Sequence, residues 1–406
     1  MVLPIIPLFL LSLKDHAILP HMKRFYTYFF FLLGFVIIGG AYLLAPSNVF
    51  EQKGKDAEDP GLNEEQVRSL VGQMLIVGFR GTSVDENSYI VKAIRDLNLG
   101  GVILFDYDVP SKTRGRNIID PEQTKKLIAD IESYSPHPLF IALDAEGGLV
   151  NRLKPSYGFS DTPSHETLGG GSAEETREAA GTLGKELSDL GFNLDFAPVV
   201  DLNVNPENPV IGNLERSFGR DPDLVTAHAR AFILGLHEYG ILSSLKHFPG
   251  HGSSESDSHL GIVDVTDTYV PEELDPFRNL IREDLADTVM VAHVFDRNID
   301  PEYPASLSEK FIRGILREEL GFEGVVISDD MQMGAIRDHY GFGEAVVRAV
   351  RAGNDILIIS NNGAEYDESA AEHAADAIWE AVQNGEIPLS GIQESVERIG
   401  SLRGRI

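Results

Sequence analysis

Cysteine is absent from this chain of 406 residues. Disulfides, cysteine nucleophiles, thiolate metal ligands and lipids attached to cysteine are therefore excluded. Positive charge is also scarce, because 34 Lys and Arg are set against 63 Asp and Glu, which leaves a formal net charge of −29. Such an acidic chain repels the phosphates of nucleic acids, and we expect no nucleic-acid partner. The chain does have 43% hydrophobic residues, enough for a sizeable core.

A long uncharged run lies near the N-terminus. Residues 25–44 carry no charge over 20 positions and follow Lys23 and Arg24, so the run is long enough to cross a hydrocarbon core of about 30 Å. The basic flank should stay in the cytoplasm, which places the rest of the chain outside it. No A-x-A cleavage site follows the run, and this favours an uncleaved membrane anchor over a removed signal peptide.

These features predict a division of the chain. Met22 is an alternative start to Met1, and the polar stretch after the apolar run carries Pro, Gly and mixed charges, which is typical of a linker. We expect the globular part to lie outside the cytoplasm, anchored to the membrane, or secreted if the segment is cleaved, and we favour a monomer. The predicted parts are an N-terminal segment over 1–21, a transmembrane signal-anchor over 22–45, a linker over 46–62 and one globular domain over 63–406.

Short apolar runs alternate with amphipathic stretches throughout the globular part. One amphipathic stretch begins with Ser172 as a predicted N-cap, has Glu175 three residues later and ends at Gly191. Eight apolar runs that are each short enough for a buried parallel strand predict a single (β/α)8 barrel. A doubly wound open sheet is the alternative, but no G-x-G-x-x-G follows the first strand. The predicted strands are 74–79, 101–105, 139–144, 194–202, 241–248, 288–295, 324–330 and 355–360.

Polar residues follow five consecutive predicted strands, where the barrel fold places active sites. They are Asp144, Glu146 and Arg152 after the third strand, Asp201 and Asn203 after the fourth, Lys246 and His247 after the fifth, His293 after the sixth, and Asp329 and Asp330 after the seventh.

The stretch KHFPGHGSSESDSH (246–259) concentrates three histidines, a lysine and two acids. His247 and His251 have the spacing of two metal ligands on one helical face, but Pro249 and Gly250 prevent that helix, so no metal site is expected. Asp257 and His259 are two residues apart and share a side of an extended segment. Such a pair makes a proton donor and acceptor near neutral pH, although histidine–acid pairs that only order a loop have the same pattern.

The acids in GVVISDDMQM sit at the end of a buried strand. A carboxylate there is placed to attack an anomeric carbon or to stabilise an oxocarbenium ion. Neighbouring strand residues point in opposite directions, so only one of Asp329 and Asp330 should face the barrel mouth. Alternation alone leaves the choice open.

Several stretches together resemble the signature blocks of family 3 glycoside hydrolases, most closely the bacterial β-N-acetylglucosaminidase branch. The resemblance runs from about Asn63 to the C-terminus, and single blocks are weak, but KHFPGHG…DSH joined to SDD is specific. The stretches are LDAEGGLVNRL (143–153), NLERSFGRDP (213–222), KHFPGHGSSESDSH, PASLS (304–308) and ELGFEGVVISDDMQMGA (319–335).

The resemblance implies a retaining β-N-acetylhexosaminidase without a cofactor, acting through a covalent glycosyl-enzyme on peptidoglycan fragments or chitooligosaccharides. It implies Asp329 as nucleophile, His259 as general acid/base and Asp257 as the partner of that histidine. It also implies that the terminal sugar is bound by Asp144, Arg152, Arg216, Lys246 and His247. Glu146, His251 and His293 are interpreted as structural residues.

The family block usually reads D-Q-E-G-G-R-V, and here Ala145 and Leu149 replace the glutamine and the first arginine. Three alternative functions stay open: a β-glucosidase of the same family, a phosphorylase that uses phosphate in place of water, and a non-catalytic wall-binding protein. The D-S-H stretch speaks against the glucosidase. The joint presence of Asp329, Asp257 and His259 speaks against the binding protein.

Overall fold

A computed structural model describes residues 62–258, 261–363 and 365–406 of the chain. The predicted segments over 1–21 and 22–45, most of the predicted linker, and His259 lie outside the described residues. Within the described ranges, no helix is long and apolar enough to cross a membrane. Residues 62–406 form one compact unit.

Eight parallel strands close into a barrel in the order β1, β2, β5, β8, β9, β11, β13, β14 and back to β1. The remaining short strands form three two-stranded pairs at the loops, β3 with β4, β6 with β7 and β10 with β12. The strands are β1 Leu75–Gly78, β2 Gly101–Ile103, β3 Tyr107–Asp108, β4 Thr113–Arg114, β5 Phe140–Leu143, β6 Ala145–Gly147, β7 Val150–Asn151, β8 Leu194–Asp195, β9 Leu242–Phe248, β10 Val263–Asp264, β11 Thr288–Val291, β12 Val294–Phe295, β13 Val325–Asp330 and β14 Ile356–Ile359.

Helices connect consecutive barrel strands and surround the barrel. The α-helices are α1 Glu64–Gln73, α2 Tyr89–Leu97, α3 Pro121–Glu132, α4 His165–Gly169, α5 Ala173–Leu190, α6 Pro222–His237, α7 Asp275–Arg282, α8 Gly334–Arg337, α9 Phe342–Ala352, α10 Ala370–Gln383 and α11 Leu389–Arg403. Lys310–Glu319 is a helix with π-type hydrogen bonds. Short 3₁₀ turns lie at Pro155–Tyr157, Gly212–Leu214, Pro271–Leu274 and Ala305–Leu307.

The predicted barrel is confirmed, and each of the eight apolar runs supplies one of its strands. The predicted start and end of α5 are also confirmed. Ser172 and Glu175 exchange side-chain and backbone hydrogen bonds in a capping box, and Gly191 ends the helix in the left-handed conformation with φ 100°.

Two predicted strands were too long. The fourth was predicted over 194–202 but its continuous ladder ends at Asp195, because Pro198 has no N–H to donate. The chain beyond it still runs along β9 through a single bridge between Val199 and Lys246. The sixth divides at His293, after which Val294–Phe295 pairs with β10 in place of the barrel.

The barrel interior and the layer between strands and helices are filled by apolar side chains. The strands β1, β5, β11 and β14 are buried along their whole length, as is usual for a parallel sheet covered on both faces. Phe248 and Phe277 are fully buried and meet edge to face with ring centroids 5.5 Å apart. This packing gives a rigid base to the loop that follows β9.

Candidate active site

A cavity of about 430 Å³ lies at the carboxyl ends of the strands, a size suited to a small ligand. Every predicted site residue that the structure describes contributes to its lining. These residues are Asp144, Arg152, Arg216, Lys246, His247, Asp257 and Asp329. Residues from the ends of four strands, β5, β8, β9 and β13, and from the loops after them therefore meet at one site, as the strand-end pattern predicts.

Asp144 is held between two cations on the cavity wall. Lys246 Nζ lies 2.9 Å from Oδ1 of Asp144, and Arg152 Nη2 donates to Oδ2 at 2.9 Å. Burial opposes ionisation of Asp144, but Lys246 and Arg152 outweigh it and hold the pKa of the carboxyl below its ordinary value. Asp144 is thus a fixed anion that can accept hydrogen bonds from hydroxyl groups.

Arg152 carries a buried donor that no protein group accepts from within the described residues. Its Nε is buried and has no hydrogen-bond partner within the described part of the protein. Buried donors are nearly always paired in folded proteins, so an unpaired one on a cavity wall points to a ligand that accepts from it.

Glu146 organises a second cation pair below the cavity. Its carboxylate accepts from Arg216 Nε and Nη2 at 2.7 Å each and lies 2.6 Å from Lys246 Nζ. Burial opposes its ionisation, but the two cations lower the pKa of Glu146 to about 2. For Lys246, burial is likewise outweighed by Asp144 and Glu146, which raise its pKa. Glu146, which the sequence led us to interpret as structural, contacts both Arg216 and Lys246 and so orients them.

Asp201 orients the backbone and ring of His247. His247 Nδ1 lies 2.7 Å from Asp201 Oδ2, and Nε2 lies 3.2 Å from Arg216 Nη2. Because the arginine can only donate, these contacts assign the ring proton to Nδ1 and leave Nε2 as an acceptor. Asp201 stood among the strand-end polar residues, but nothing in the local sequence marked it as the partner of His247.

Hydrogen bonds of His251 hold the loop after β9 in place. His251 is buried, with its backbone N–H donating to Asp201 and its ring nitrogens 2.8 Å from Ser254 Oγ and 3.3 Å from Ser258 Oγ. Burial and the neighbouring His247 lower the pKa of His251 to about 4. The described residues contain no group of three or more His, Asp or Glu side chains arranged as metal ligands.

Glu273 supports the same loop and was not found by sequence reasoning. Its Oε2 accepts from the backbone N–H groups of Gly252 at 3.0 Å and Ser253 at 3.2 Å. Gly252 packs so tightly that a Cβ built on it would lie 1.7 Å from the carbonyl oxygen of Leu202. Hydrogen bonds to Glu273 and tight packing against Leu202 therefore hold the segment that leads to Asp257 and His259.

Asp329 and Asp330 end β13, and their surroundings differ. The carboxylate of Asp330 accepts from the N–H of Ser360 at 3.0 Å, from its hydroxyl at 2.6 Å and from the N–H of Gln332 at 3.2 Å. Burial raises the pKa of Asp330. Asp329 accepts from the N–H of Asp330 at 2.8 Å and is half-buried on the cavity wall. These hydrogen bonds hold the side chain of Asp330 against Ser360, at the end of β14.

His293 is fully buried beside this strand end. Its Nδ1 lies 2.6 Å from Ser306 Oγ and its Nε2 lies 2.9 Å from the carbonyl oxygen of Asp330. Both ring nitrogens contact the protein, which fits the interpretation of His293 as a structural residue.

The two departures from the resembled block lie in different environments. Ala145 is fully buried, and its N–H donates to Asp195 Oδ1 at 3.0 Å. Leu149 is 63% exposed at the mouth of the cavity. The change at Ala145 therefore affects the buried residues that support the site, and the change at Leu149 affects the entrance of the cavity.

Comparisons with known proteins identify the family of this chain. The model of the glycosyl hydrolase family 3 N terminal domain matches residues 66–402. The β-hexosaminidase LpqI of Mycobacterium tuberculosis is 34% identical over 346 residues, covering 83% of this chain and 82% of that protein. A β-hexosaminidase of Xylella fastidiosa is 35% identical over 347 residues, covering 82% and 98%.

A solved structure of a family 3 β-N-acetylglucosaminidase from Paenibacillus sp. superposes with a TM-score of 0.75 at 37% identity. The match covers 83% of this chain and 62% of that one, so the chain spans less than two thirds of that relative. The match to the family model covers all eight barrel strands. The chain belongs to glycosyl hydrolase family 3 and is a glycoside hydrolase acting on O-glycosyl bonds.

Proposed function

We propose that this chain is a retaining β-N-acetylhexosaminidase that hydrolyses terminal N-acetylglucosamine from chitooligosaccharides or peptidoglycan fragments. The single observation that carries the proposal is the meeting of Asp329 and Asp257 with the Asp144–Arg152–Lys246 cluster on one cavity wall. The Asp144–Arg152–Lys246 cluster suits the hydroxyls of a sugar. Asp329 and Asp257 are the acids that the reaction needs.

Asp329 is the proposed nucleophile. Its carboxylate oxygen attacks the anomeric carbon while the bond from that carbon to the leaving oxygen breaks, which gives a covalent glycosyl-enzyme. Support for Asp329 over Asp330 comes from the hydrogen bonds of Asp330, whose two oxygens are committed to Ser360 and Gln332.

His259 is the proposed general acid/base, with Asp257 as its partner. Asp257 lines the cavity, and His259 itself lies outside the described residues. In the first step the imidazolium gives its proton to the leaving oxygen. In the second step the neutral ring takes a proton from water, whose oxygen attacks the anomeric carbon and frees Asp329.

The terminal sugar is proposed to bind against Asp144, Arg152, Lys246, Arg216 and His247. The unpaired Nε–H of Arg152 supplies a donor and the Asp144 carboxylate supplies an acceptor, and a sugar hydroxyl can satisfy both kinds of group. Glu146 and Asp201 keep Arg216 and His247 in place.

The test compares p-nitrophenyl N-acetyl-β-glucosaminide with the matching β-glucoside on the full chain, with and without phosphate. Cleavage of the first substrate alone, with release of the β-anomer of free N-acetylglucosamine, supports the proposal. Phosphate-dependent release of a sugar phosphate would identify a phosphorylase. Absence of cleavage by the folded chain would leave a binding protein as the better account.

We also propose that residues 22–45 anchor the domain, predicted over 63–406, to a membrane with the hydrolase outside the cytoplasm. Support comes from the uncharged run over 25–44 and the Lys23–Arg24 flank in the sequence. The test is protease treatment of intact cells that express the full chain. Degradation of the domain only after the outer barriers are opened, with the cytoplasmic membrane intact, supports this topology. Protection until that membrane is lysed contradicts it.

A further inference from the structure

Asn208 is a fully buried side chain that joins the loop after β8 to the loop after β9. Its Nδ2 donates to the carbonyl oxygen of His251 at 2.7 Å and to Ser254 Oγ at 3.0 Å. Its Oδ1 accepts from the backbone N–H groups of Val210 at 2.9 Å and Ile211 at 3.0 Å. Because a carbonyl oxygen can only accept and a backbone N–H can only donate, these partners decide which end of the amide faces which loop.

On the β8 side, the contacts of Asn208 lead to the arginine that is proposed to bind the sugar. The carbonyl oxygen of Val210 accepts from Arg216 Nη1 at 2.8 Å. The Ile211 N–H that Asn208 holds belongs to the same peptide group as this carbonyl oxygen. The backbone N–H of Arg216 also donates to the carbonyl oxygen of Ile211 at 3.1 Å. Asn208 therefore fixes the peptide group that the Arg216 guanidinium contacts.

On the β9 side, the contacts lead to the residue that directly precedes His259, the proposed general acid/base. His251 Nδ1 lies 2.8 Å from Ser254 Oγ, and its Nε2 lies 3.3 Å from Ser258 Oγ. Ser254 is fully buried, and Ser258 is 3% exposed. A continuous series of hydrogen bonds therefore runs from Asn208 to Ser258.

We propose that Asn208 is a positioning residue that sets the distance between the terminal sugar on Arg216 and the proton donor that follows Ser258. This inference rests on the proposed function. Protonation of the leaving oxygen needs a donor within hydrogen-bond reach of it, and a displacement of about 1 Å can cost about a hundredfold in rate. Loss of the donor end of Asn208 should therefore impair proton delivery, while the sugar keeps its contacts.

The test compares two leaving groups on the full-length chain. Phenyl N-acetyl-β-glucosaminide has a basic leaving oxygen that needs a proton, whereas the 2,4-dinitrophenyl glycoside reacts without one. The readout is kcat/KM for the phenyl glycoside divided by kcat/KM for the 2,4-dinitrophenyl glycoside. A smaller fraction of folded protein lowers both values equally, so this ratio separates a positioning role from a merely structural one.

Two variants break the series of hydrogen bonds at different places. Asn208→Asp replaces the donor end of the amide with an oxygen and keeps an acceptor for the β8 loop. Ser254→Ala removes the next contact and leaves Asn208 in place. We expect each variant to lower the ratio by about tenfold or more, which is part of the contribution that general acid catalysis makes.

Asn213→Asp is the matched control for these variants. Asn213 is exposed on the same loop as Asn208, and its side chain donates to the carbonyl oxygen of Glu207 at 3.1 Å. It has no side-chain hydrogen bond to the β9 loop within the described residues. This variant should keep the ratio of the parent chain.

Both test variants should fold, because Asn205 also joins the two loops. Its N–H donates to the carbonyl oxygen of Gly252 at 3.1 Å, and its Nδ2 donates to that of Ser254 at 3.0 Å. Circular dichroism checks the fold, and Ser254→Ala decides the question if Asn208→Asp does not fold. An unchanged ratio in a folded variant would overturn the positioning role alone. Absence of cleavage of both glycosides by the parent chain would overturn the proposed function and this inference with it.

Discussion

Arg216 donates to both carboxylate oxygens of Glu146, through Nε and Nη2, at 2.7 Å each. The two residues are 70 positions apart, and the side chain of Glu146 is almost wholly buried. This bidentate ion pair fixes the guanidinium of Arg216 on the cavity wall, next to His247 Nε2. The geometry makes Glu146 a positioning residue for groups that are proposed to bind the terminal sugar.

Glu146→Gln should therefore impair both binding and folding. The amide keeps the shape but leaves Arg216 without its carboxylate partner and Lys246 with Asp144 alone, and breaking a buried pair in this way costs about 3 kcal/mol. We expect a lower free energy of unfolding in urea and a fall in kcat/KM. Glu238→Gln is the matched control, because the pair between Glu238 and Arg177 is exposed at 46% and 44%, and an exposed pair contributes little to stability. Equal losses in the two variants would contradict the assigned role.

Gly252→Ala should disturb the loop that carries Asp257. The new methyl group would lie 1.7 Å from the carbonyl oxygen of Leu202, so the loop has to shift, and the shift disturbs the hydrogen bond from the Gly252 N–H to Glu273. We expect kcat to fall by at least about tenfold, since small displacements of catalytic groups are costly. Gly400→Ala, in helix α11 with open space at its Cβ, should instead stabilise the fold by about 0.5–1 kcal/mol with kcat unchanged. Steady-state kinetics and thermal unfolding measure both.

Glu273 should make the stability of the protein depend on pH. Burial raises the pKa of Glu273 from its ordinary 4.5 to about 7, and Asp201 adds to the increase. The folded chain thus binds the proton more tightly than the unfolded chain. The contribution of Glu273 is complete below pH 4.5 and is lost as pH rises to about 7, by up to about 3 kcal/mol at 1.36 kcal/mol per pKa unit.

Glu273→Gln, which stays neutral, should remove this decline. The measurement is the free energy of unfolding in urea at pH 5, 6, 7 and 8 for both proteins. A difference between variant and parent that does not change over this interval would show that Glu273 does not titrate there.

The two neighbouring acids of β13 should respond differently to removal of their charge. Asp329→Asn should lower kcat by at least about a thousandfold with little change in stability, as expected for loss of a nucleophile. Asp330→Asn disturbs the hydrogen bonds to Ser360 and Gln332 and should lower the free energy of unfolding by about 1–3 kcal/mol. Kinetics with the p-nitrophenyl substrate and urea unfolding separate the effects. The reverse pattern would exchange the roles of the two residues.

The barrel could be predicted because the sequence patterns that indicate its strands and helix ends are local. Each apolar run is continuous in sequence, and the α5 caps at Ser172 and Gly191 depend on residues a few positions away. The fourth strand was predicted too long because the apolar run continues past Pro198, while the ladder needs an N–H that proline lacks.

The supporting residues of the site could not be predicted because their contacts are long-range. Asp201 and His247 are 46 residues apart, and Glu273 reaches Gly252 across 21. A buried glutamate such as Glu273 has no local pattern to mark it.

The most direct test of the account is to trap the glycosyl-enzyme. In the His259→Ala variant, 2,4-dinitrophenyl N-acetyl-β-glucosaminide should still transfer its sugar, because this leaving group needs no proton, while hydrolysis of the intermediate should be slow. Mass spectrometry of the quenched protein and of its peptides then locates the sugar. The account predicts one N-acetylglucosaminyl group per chain, on the carboxylate of Asp329. A sugar on Asp330, or no covalent sugar together with release of the α-anomer as first product, would contradict it.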